Sequence, residues 1–399
     1  MSCFYPADIL LPKKNSKEDY EKWAVIACDQ HTSNQQYWDD VERIVGDAPS
    51  SLRIMLPEIY LGKDNSASIM KVNATMDKYM EEGVLESHPN SMIYVERQVG
   101  DKIRRGLVGM VDLEEYDFNP GSDALIRATE ATIIDRLPPR IQIRQNAPLE
   151  MPHVLMLFDD ANKTVVAPLE ASKDKLEVAY DFDLMKNGGH IKGWFLTEEL
   201  QQSVEKALDV LTEEKNGLLF VVGDGNHSLA AAKEYYKRSG NPLARYALVE
   251  IENVHDESLE FESIYRVLFN VDREDFVAKF KNYTDKYGSK NLQTFRLYSK
   301  GGSRLMNFKA TAELPIGTLQ SFIDRYTEIH SEVEVDYIHG EDEVKRLCDR
   351  DDILGFVYQG LRKDELFTAV DKDGALPRKT FSMGHADDKR FYIECRKIK

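Results

Sequence analysis

Cysteine is scarce in this chain. Its 399 residues hold four, Cys3, Cys28, Cys348 and Cys395, and no two have CxxC spacing. A chain of this length builds a core without covalent staples, so the four are expected as reduced, partly buried thiols rather than a disulfide framework. Long apolar runs are missing as well. No stretch approaches the roughly 18 apolar residues of a membrane span. Residues 1–12 carry Asp8 within their apolar part and no basic segment before it, unlike a secretion signal. Basic charge is in deficit, with 52 Lys and Arg against 69 Asp and Glu, a net of −17. Proteins that grip nucleic acid or anionic membranes carry basic faces. Neither is therefore an expected partner, and a cytoplasmic location is expected. Repeats, low-complexity tracts, paired zinc-ligand spacings, HExxH, EF-hand loops, G-x-S-x-G elbows and Walker A loops are all absent, and no Ser-His-Asp arrangement can be argued from the order of residues.

What is present is ordinary globular composition, 42% apolar, 30% charged and 10% aromatic. Strand and helix patterns alternate, which predicts an α/β to α+β fold with mixed sheets. Residues 23–28 read as a strand, and 32–45 and 67–82 as helices. Residues 91–97 and 105–113 read as a hairpin around Gly100-Asp101, and 153–159 with 164–168 as a second one. From 198 to 211, Leu200, Val204, Ala207, Leu208 and Leu211 share one helical face behind the N-cap Thr197. Residues 292–299 and 304–310 flank Lys300-Gly301-Gly302-Ser303 as a further hairpin. Segments 335–338, 341–348 and 353–358 read as strand, helix and strand, and 391–396 as a last strand. A boundary is expected near 285. It would separate a main α/β region, 1–285, from a smaller α+β region, 286–399.

The richest chemical signal lies after the apolar run 218–222. Residues 223–227, Gly-Asp-Gly-Asn-His, form a loop, and Ser228 opens a helix that ends at Gly240. Gly223 and Gly225 allow a sharp turn and close approach to a ligand. The first amides of the helix lack internal partners, and its dipole favours an anion there. His227, Asn226 and Ser228 add side-chain donors. A plain strand-to-helix connection capped by Ser228 is the competing reading.

Several segments in order resemble an uncharacterised bacterial family, domain of unknown function 1015, along nearly the whole chain. They are Ala27-Cys28-Asp29-Gln30, Met55-Leu56-Pro57-Glu58, Arg105-Gly106-Leu107-Val108, Asp112-Leu113-Glu114-Glu115-Tyr116, Gly189-His190 with Trp194, Asp224-Gly225-Asn226-His227, Asp336-Tyr337-Ile338-His339-Gly340 and Leu376-Pro377-Arg378-Lys379. The family's motif at 224–228 usually reads Asp-Gly-His-His-Arg. That string is similar to the nucleotide-phosphate motif of ParB-like and sulfiredoxin-like proteins, including free-serine kinases. The resemblance implies a strand-loop-helix site that handles a nucleotide or phosphate, and phosphoryl transfer there would call for Mg²⁺ on Asp224 or Asp29. Here Asp224, Gly225 and His227 are kept, while Asn226 replaces the first His and Ser228 the Arg, which removes a charged fork suited to phosphate.

Other segments supply cations and carboxylates. The stretch 127–144 holds Arg127, Arg136, Arg140 and Arg144, and Arg127 or Arg140 is a candidate replacement for the missing Arg. Pro138-Pro139 is expected to break any helix there. Residues 376–399 hold seven Lys and Arg against three Asp and Glu. Lys379 is the phosphate candidate among them, against the reading of a solvated tail. Asp29, at a strand end beside Gln30, His31 and Thr32, is a candidate base, orienting group or Mg²⁺ ligand. A helix-capping role is the alternative. Cys28 reads as a small core residue. The turn 187–194, with His190 and Lys192, reads as a lid or as a hairpin turn.

Together these predict a protein that binds a nucleotide or another small phosphorylated anion, with phosphoryl transfer to a small metabolite as the leading activity. Gly223, Gly225, Asn226, Ser228, Arg127, Arg140 and Lys379 would hold phosphate. Asp29, Asp224 and His227 would carry the chemistry, with Asp224 as metal ligand. A non-catalytic ligand-binding switch and a metal-assisted phosphohydrolase are the alternatives.

Overall fold

The computed structural model describes residues 3–13, 16–62, 64–132, 137–151, 153–384 and 386–399. Arg136 therefore lies outside the described residues. The chain forms two compact units, 1–259 with 384–399, and 260–383. The division expected near 285 falls inside the helix Arg273–Tyr287. No compositional step marks the observed boundaries, because each unit has an ordinary apolar core of its own.

The first unit runs through α1 (Gln35–Val45), α2 (Ser66–Glu81), β1 (Ile93–Val99), β2 (Lys102–Asp112), β3 (Ile126–Ala128), α3 (Leu137–Asn146), β4 (Leu155–Phe158), β5 (Val178–Asp183), β6 (His190–Phe195), α4 (Glu198–Glu214), β7 (Phe220–Asp224), α5 (Asn226–Ser239) and β8 (Tyr246–Asn253). One sheet joins the strands in the order β5-β6-β1-β2-β8-β4-β7-β3, then the short strand Tyr116–Asp117. β4 runs parallel to β8, and β3 runs parallel to β7 and to Tyr116–Asp117. The other neighbours along this order are antiparallel. The fold is thus mixed α/β, as the alternating pattern predicts. The hairpin at Gly100-Asp101 forms, and the Thr197 hydroxyl accepts the Leu200 amide at 3.4 Å to start α4.

Four local expectations are corrected. Residues 153–168 do not form a hairpin. β4, buried along its whole length, lies between β7 and β8 instead. Asp160 Oδ2 accepts the Val165 amide at 2.9 Å and leads the chain into the helix Ala167–Ser172. The loop after the run 218–222 shrinks to one residue, because β7 extends to Asp224 and α5 begins at Asn226. Pro138 and Pro139 open α3 rather than break a helix, since neither needs an amide partner in a first turn. The strand expected at 391–396 is two short pieces. Phe391–Tyr392 pairs with Val25–Ile26, and Arg396–Lys397 pairs with Leu149–Glu150. The basic C-terminal segment is therefore not a solvated tail. Arg390 is buried between Glu250 and Glu394, 2.7 Å from each, and Arg396 is buried against Glu150 at 2.6 Å.

The second unit contains β9 (Phe261–Phe269), α6 (Arg273–Tyr287), β10 (Leu292–Ser299), β11 (Gly302–Lys309), α7 (Pro315–Ile329), β12 (Glu334–His339), α8 (Glu341–Leu347) and β13 (Leu354–Tyr358). Its sheet, β11-β10-β13-β9-β12, is antiparallel, and Phe381–Met383 also pairs with β9. Phe276, Phe280, Phe295, Phe322 and Phe356 interlock with ring centroids 5.1 to 5.4 Å apart. Among the described residues no helix is long and apolar enough to cross a membrane.

Candidate functional site

β7 turns into α5 at Gly225, whose φ of +84° lies in the left-handed region. A Cβ there would come within 3.0 Å of Val154 Cγ2 and 3.1 Å of its Cα, so the position requires glycine for conformation and for space. Asp224 Oδ1 accepts the Gly225 amide at 2.9 Å. Asn226 faces inward to Thr129. Its Oδ1 accepts the Thr129 amide, and its Nδ2 donates to the Thr129 hydroxyl, both at 3.2 Å. Asn226 thus anchors the first turn of α5 to the end of β3. Ser228, also in that turn, places its Oγ 3.3 Å from Nε2 of His153.

His153 is the centre of the cluster, and only 5% of it is exposed. Its Nε2 lies 3.5 Å from Asp29 Oδ2, and its Nδ1 lies 2.7 Å from the Tyr392 hydroxyl. That hydroxyl donates to Cys28 Sγ at 3.2 Å and accepts the Cys28 amide at 3.3 Å. Burial alone would push the imidazole pKa down. Asp29, by charge and hydrogen bond, and then Asp224 outweigh it, with Arg140 opposing, and His153 titrates above the ordinary histidine value. Burial likewise resists the Asp29 carboxylate. The His153 charge and hydrogen bond, the Gln30 amide and Lys389 reverse that and hold it well below the usual range. Burial, followed by the Asp29 charge, pushes the Cys28 thiol up to about 12, so it stays protonated and inert, as a core residue should.

Serine, histidine and aspartate therefore do meet here, although the order of residues gives no hint of it. They do not form a hydrolytic relay. A relay needs the carboxylate on one ring nitrogen and the hydroxyl on the other. Asp29 and Ser228 share Nε2, and Tyr392 occupies Nδ1. What results is a buried imidazole paired with a carboxylate, beside a hydroxyl and a helix N-terminus.

Two more cations approach. Lys389 Nζ sits 3.2 Å from Asp224 Oδ2. The backbone carrying it is clamped by two buried arginines. Arg97 donates to the carbonyls of Gly188, Asp387, Asp388 and Lys389 at 2.6 to 3.1 Å, and Arg104 donates to that of Asp388 at 2.7 Å. Arg140, on α3, pairs with Glu58. Arg140, Glu58, Cys28, His153, Ser228 and Tyr392 all line one cleft of about 160 Å³ between α3 and α5, whose remaining wall is mainly apolar.

The other expected residues lie elsewhere. Arg127, on β3, is buried, and its Nε donates to the Ala124 carbonyl at 3.0 Å. It does not line the cleft, because its strand lies beside β7 rather than at its end. His227 and Gly223 flank the turn without lining the cleft. The turn 187–189 is the tip of the β5–β6 hairpin, not a lid, for Arg97 holds the Gly188 carbonyl with two donors. His190 lies 2.7 Å from Asp183 and 3.1 Å from Asp181, and Lys192 lies 3.0 Å from Asp181, all on that hairpin. Lys379 belongs to the second unit, with its ammonium 4.8 Å from the Tyr337 ring centroid.

Mg²⁺ asks for several oxygen ligands in near-octahedral order. Asp224 gives one oxygen to the Gly225 amide and the other to Lys389, so it does not fit the role of metal ligand. Among the described residues no group of three or more His, Cys, Asp and Glu side chains could hold a metal ion.

His153, Tyr392 and Lys389 were not expected as site residues. Lys389 lies in the basic stretch 376–399, which is a usable signal. His153 and Tyr392 carry none, since their partners are 75 and 364 residues away in sequence.

Among solved structures the chain is similar to a conserved hypothetical protein from Pyrococcus furiosus, at 12% identity and TM-score 0.37, over 72% of this chain and 94% of that one. It is also similar to a free serine kinase in complex with AMP, at 10% identity and TM-score 0.41, over 72% and 91%. A third is SbnI from Staphylococcus aureus, at 10% identity and TM-score 0.37, over 69% and 82%. Among curated proteins none matches the chain. The family model described as protein of unknown function DUF1015 matches residues 10–326, and the chain belongs to that family.

Proposed function

We propose that this chain is a cytoplasmic enzyme that binds a nucleotide or another small phosphorylated anion at the first turn of α5 and transfers a phosphoryl group to a small metabolite, in the manner of a free-serine kinase. The observation that carries the reading is His153, a buried imidazole 3.3 Å from the Ser228 hydroxyl in the first turn of the helix, with Asp29 and Asp224 favouring its charged form. Phosphoryl transfer needs positioning and charge stabilisation more than covalent help. His153, the Ser228 hydroxyl and the amides of Asn226, His227 and Ser228 would hold phosphate oxygens, while Gly223 and Gly225 leave room for them. Arg140 supplies a further charge. Asp29 acts by keeping His153 charged and is a positioning residue. Lys389 would move from Asp224 to the ligand, and the released carboxylate would accept the proton of an acceptor hydroxyl. Any divalent ion would arrive with the nucleotide phosphates.

A second reading, a ligand-binding switch without turnover, is favoured by a specific observation. Asp224 and Asp29 are both engaged in ion pairs, and Ser228 stands where the family motif has arginine. Thermal-shift measurements with ATP, ADP, CTP and pyrophosphate, with and without Mg²⁺, test the shared part, since a ligand of the folded state raises the midpoint by mass action. Product analysis separates the rest. Phosphorylated acceptor supports the kinase, phosphate release without acceptor a hydrolase, and binding without turnover the switch. Absence of any midpoint shift with all four ligands rejects the site.

A further inference from the structure

We propose that the site takes amphiphilic anions, an alkyl or aryl phosphate being the class, with the apolar body lodged in the cleft between α3 and α5. This rests on the anion-binding part of the reading above, takes a small phosphorylated anion in place of a nucleotide as the ligand of the cleft, and adds what the anion is attached to.

Packing provides the first argument. Three separate apolar clusters border the cleft. Met76 and Leu149 belong to the cluster around Trp23, Met55 to that around Trp38, and Leu229 with Ala231 and Ala232 to that around Phe158 and Phe220. Protein interiors close-pack, and unfilled apolar space lowers stability. A cavity of about 160 Å³ where three clusters meet is thus a cost the fold carries. Small residues maintain it. Ala147, Ala231, Ala232 and Ala247 stand on its wall, where a leucine would fill it.

The second argument is chemical. Ser228 and His153, which hold the anion, are followed directly by Leu229 and Val154, both on the wall. A phosphate held by the first pair therefore presents its substituent to the second. The other charged groups on the wall are paired, Arg140 with Glu58 and Arg144 with Glu150, which Arg396 also holds, so beyond the Arg144 Nε they offer little to a polar body. A sugar or a polar amino acid in this space would leave hydroxyl or ammonium groups without partners, which is unfavourable. An alkyl or aryl body loses nothing and gains burial.

The test is isothermal titration of the full chain with inorganic phosphate, ethyl, butyl and hexyl phosphate, and glycerol phosphate as the polar body of similar size. Affinity should rise on the order of two- to fourfold per methylene along the alkyl series, and glycerol phosphate should gain nothing over inorganic phosphate. Ala231→Leu and Ala232→Leu should each lower the ratio of hexyl to inorganic phosphate affinity at least threefold. His153→Gln should weaken every member by a similar factor. A flat alkyl series with measurable phosphate binding overturns this inference and leaves the anion site standing. A rising series that neither leucine variant alters puts the body elsewhere and also overturns it. If no phosphate compound or nucleotide binds at all, the underlying reading fails instead.

Discussion

His153 keeps Nε2 3.5 Å from Asp29 Oδ2 inside the first unit, with Asp224, Arg140 and Tyr392 as the other charged or titratable groups acting on it. The histidine's folded pKa lies above its unfolded value. Its stabilisation is therefore complete below about pH 6.5 and is lost as pH rises through the folded value. Asp29 has the opposite sign. Its folded pKa lies below the unfolded value, so its stabilisation is present above about pH 4 and is lost as pH falls through the folded value. The melting-temperature gap between the wild type and His153→Gln should accordingly narrow from pH 6 to pH 9. A gap that stays constant over this range would mean that His153 is not charged in the folded protein.

Lys389 is predicted to serve the ligand and not only Asp224. Lys389→Met should weaken nucleotide or phosphate binding about 10-fold, equivalent to about 1.4 kcal/mol. The loss should shrink as salt is raised, because charge attraction is screened. Titration at two ionic strengths reads both effects, and unchanged affinity would remove Lys389 from the site.

Gly225 and Gly240 form a natural comparison. Both have positive φ, +84° and +62°, but a Cβ meets nothing within 4 Å at Gly240 and meets Val154 at Gly225. Gly240→Ala should cost about 1 kcal/mol from conformation alone. Gly225→Ala should cost about 2 kcal/mol or more and also weaken anion binding, because it displaces the first turn of α5. Urea unfolding midpoints measure the difference, and equal costs would deny the close approach to Val154.

Arg97 spends its guanidinium on four backbone carbonyls rather than on a carboxylate. Arg97→Met should destabilise the first unit by about 4 kcal/mol, at roughly 1 kcal/mol for each carbonyl from which it removes a donor. Arg97→Lys should recover little, since a single ammonium cannot span carbonyls on two segments. Limited proteolysis near 386–390 should accelerate in both variants. Unaltered cleavage would show that the segment is held by other contacts.

What could be read in advance is what folds locally. The Gly100-Asp101 hairpin, the Thr197-capped helix α4 and the β10–β11 hairpin at Gly301-Gly302 depend on neighbours in sequence and were expected within a few residues. The turn at Gly225 was legible for the same reason. Residues 153–159 read as half of a hairpin because the true partners of β4, β7 and β8, lie about 65 to 95 residues further along, and periodicity carries no information about such pairings. Arg390 and Arg396 belong to a run of cations that looks solvated in sequence, because Glu250 and Glu150, which bury it together with the nearby Glu394, come from distant segments. The site divides in the same way. Ser228 and Arg140 reach the cleft and were candidates, whereas His153 and Tyr392 owe their role wholly to tertiary contact.

The return of residues 386–399 to the first unit has a consequence in time. Tyr392 orders His153, and Lys389 faces Asp224, yet both are translated after the whole of the second unit. A nascent chain that has already produced β1 through β8 therefore still lacks two members of the cluster around His153. On the proposed reading, ligand affinity arises only after Lys389 and Tyr392 have emerged and docked, later than the second unit.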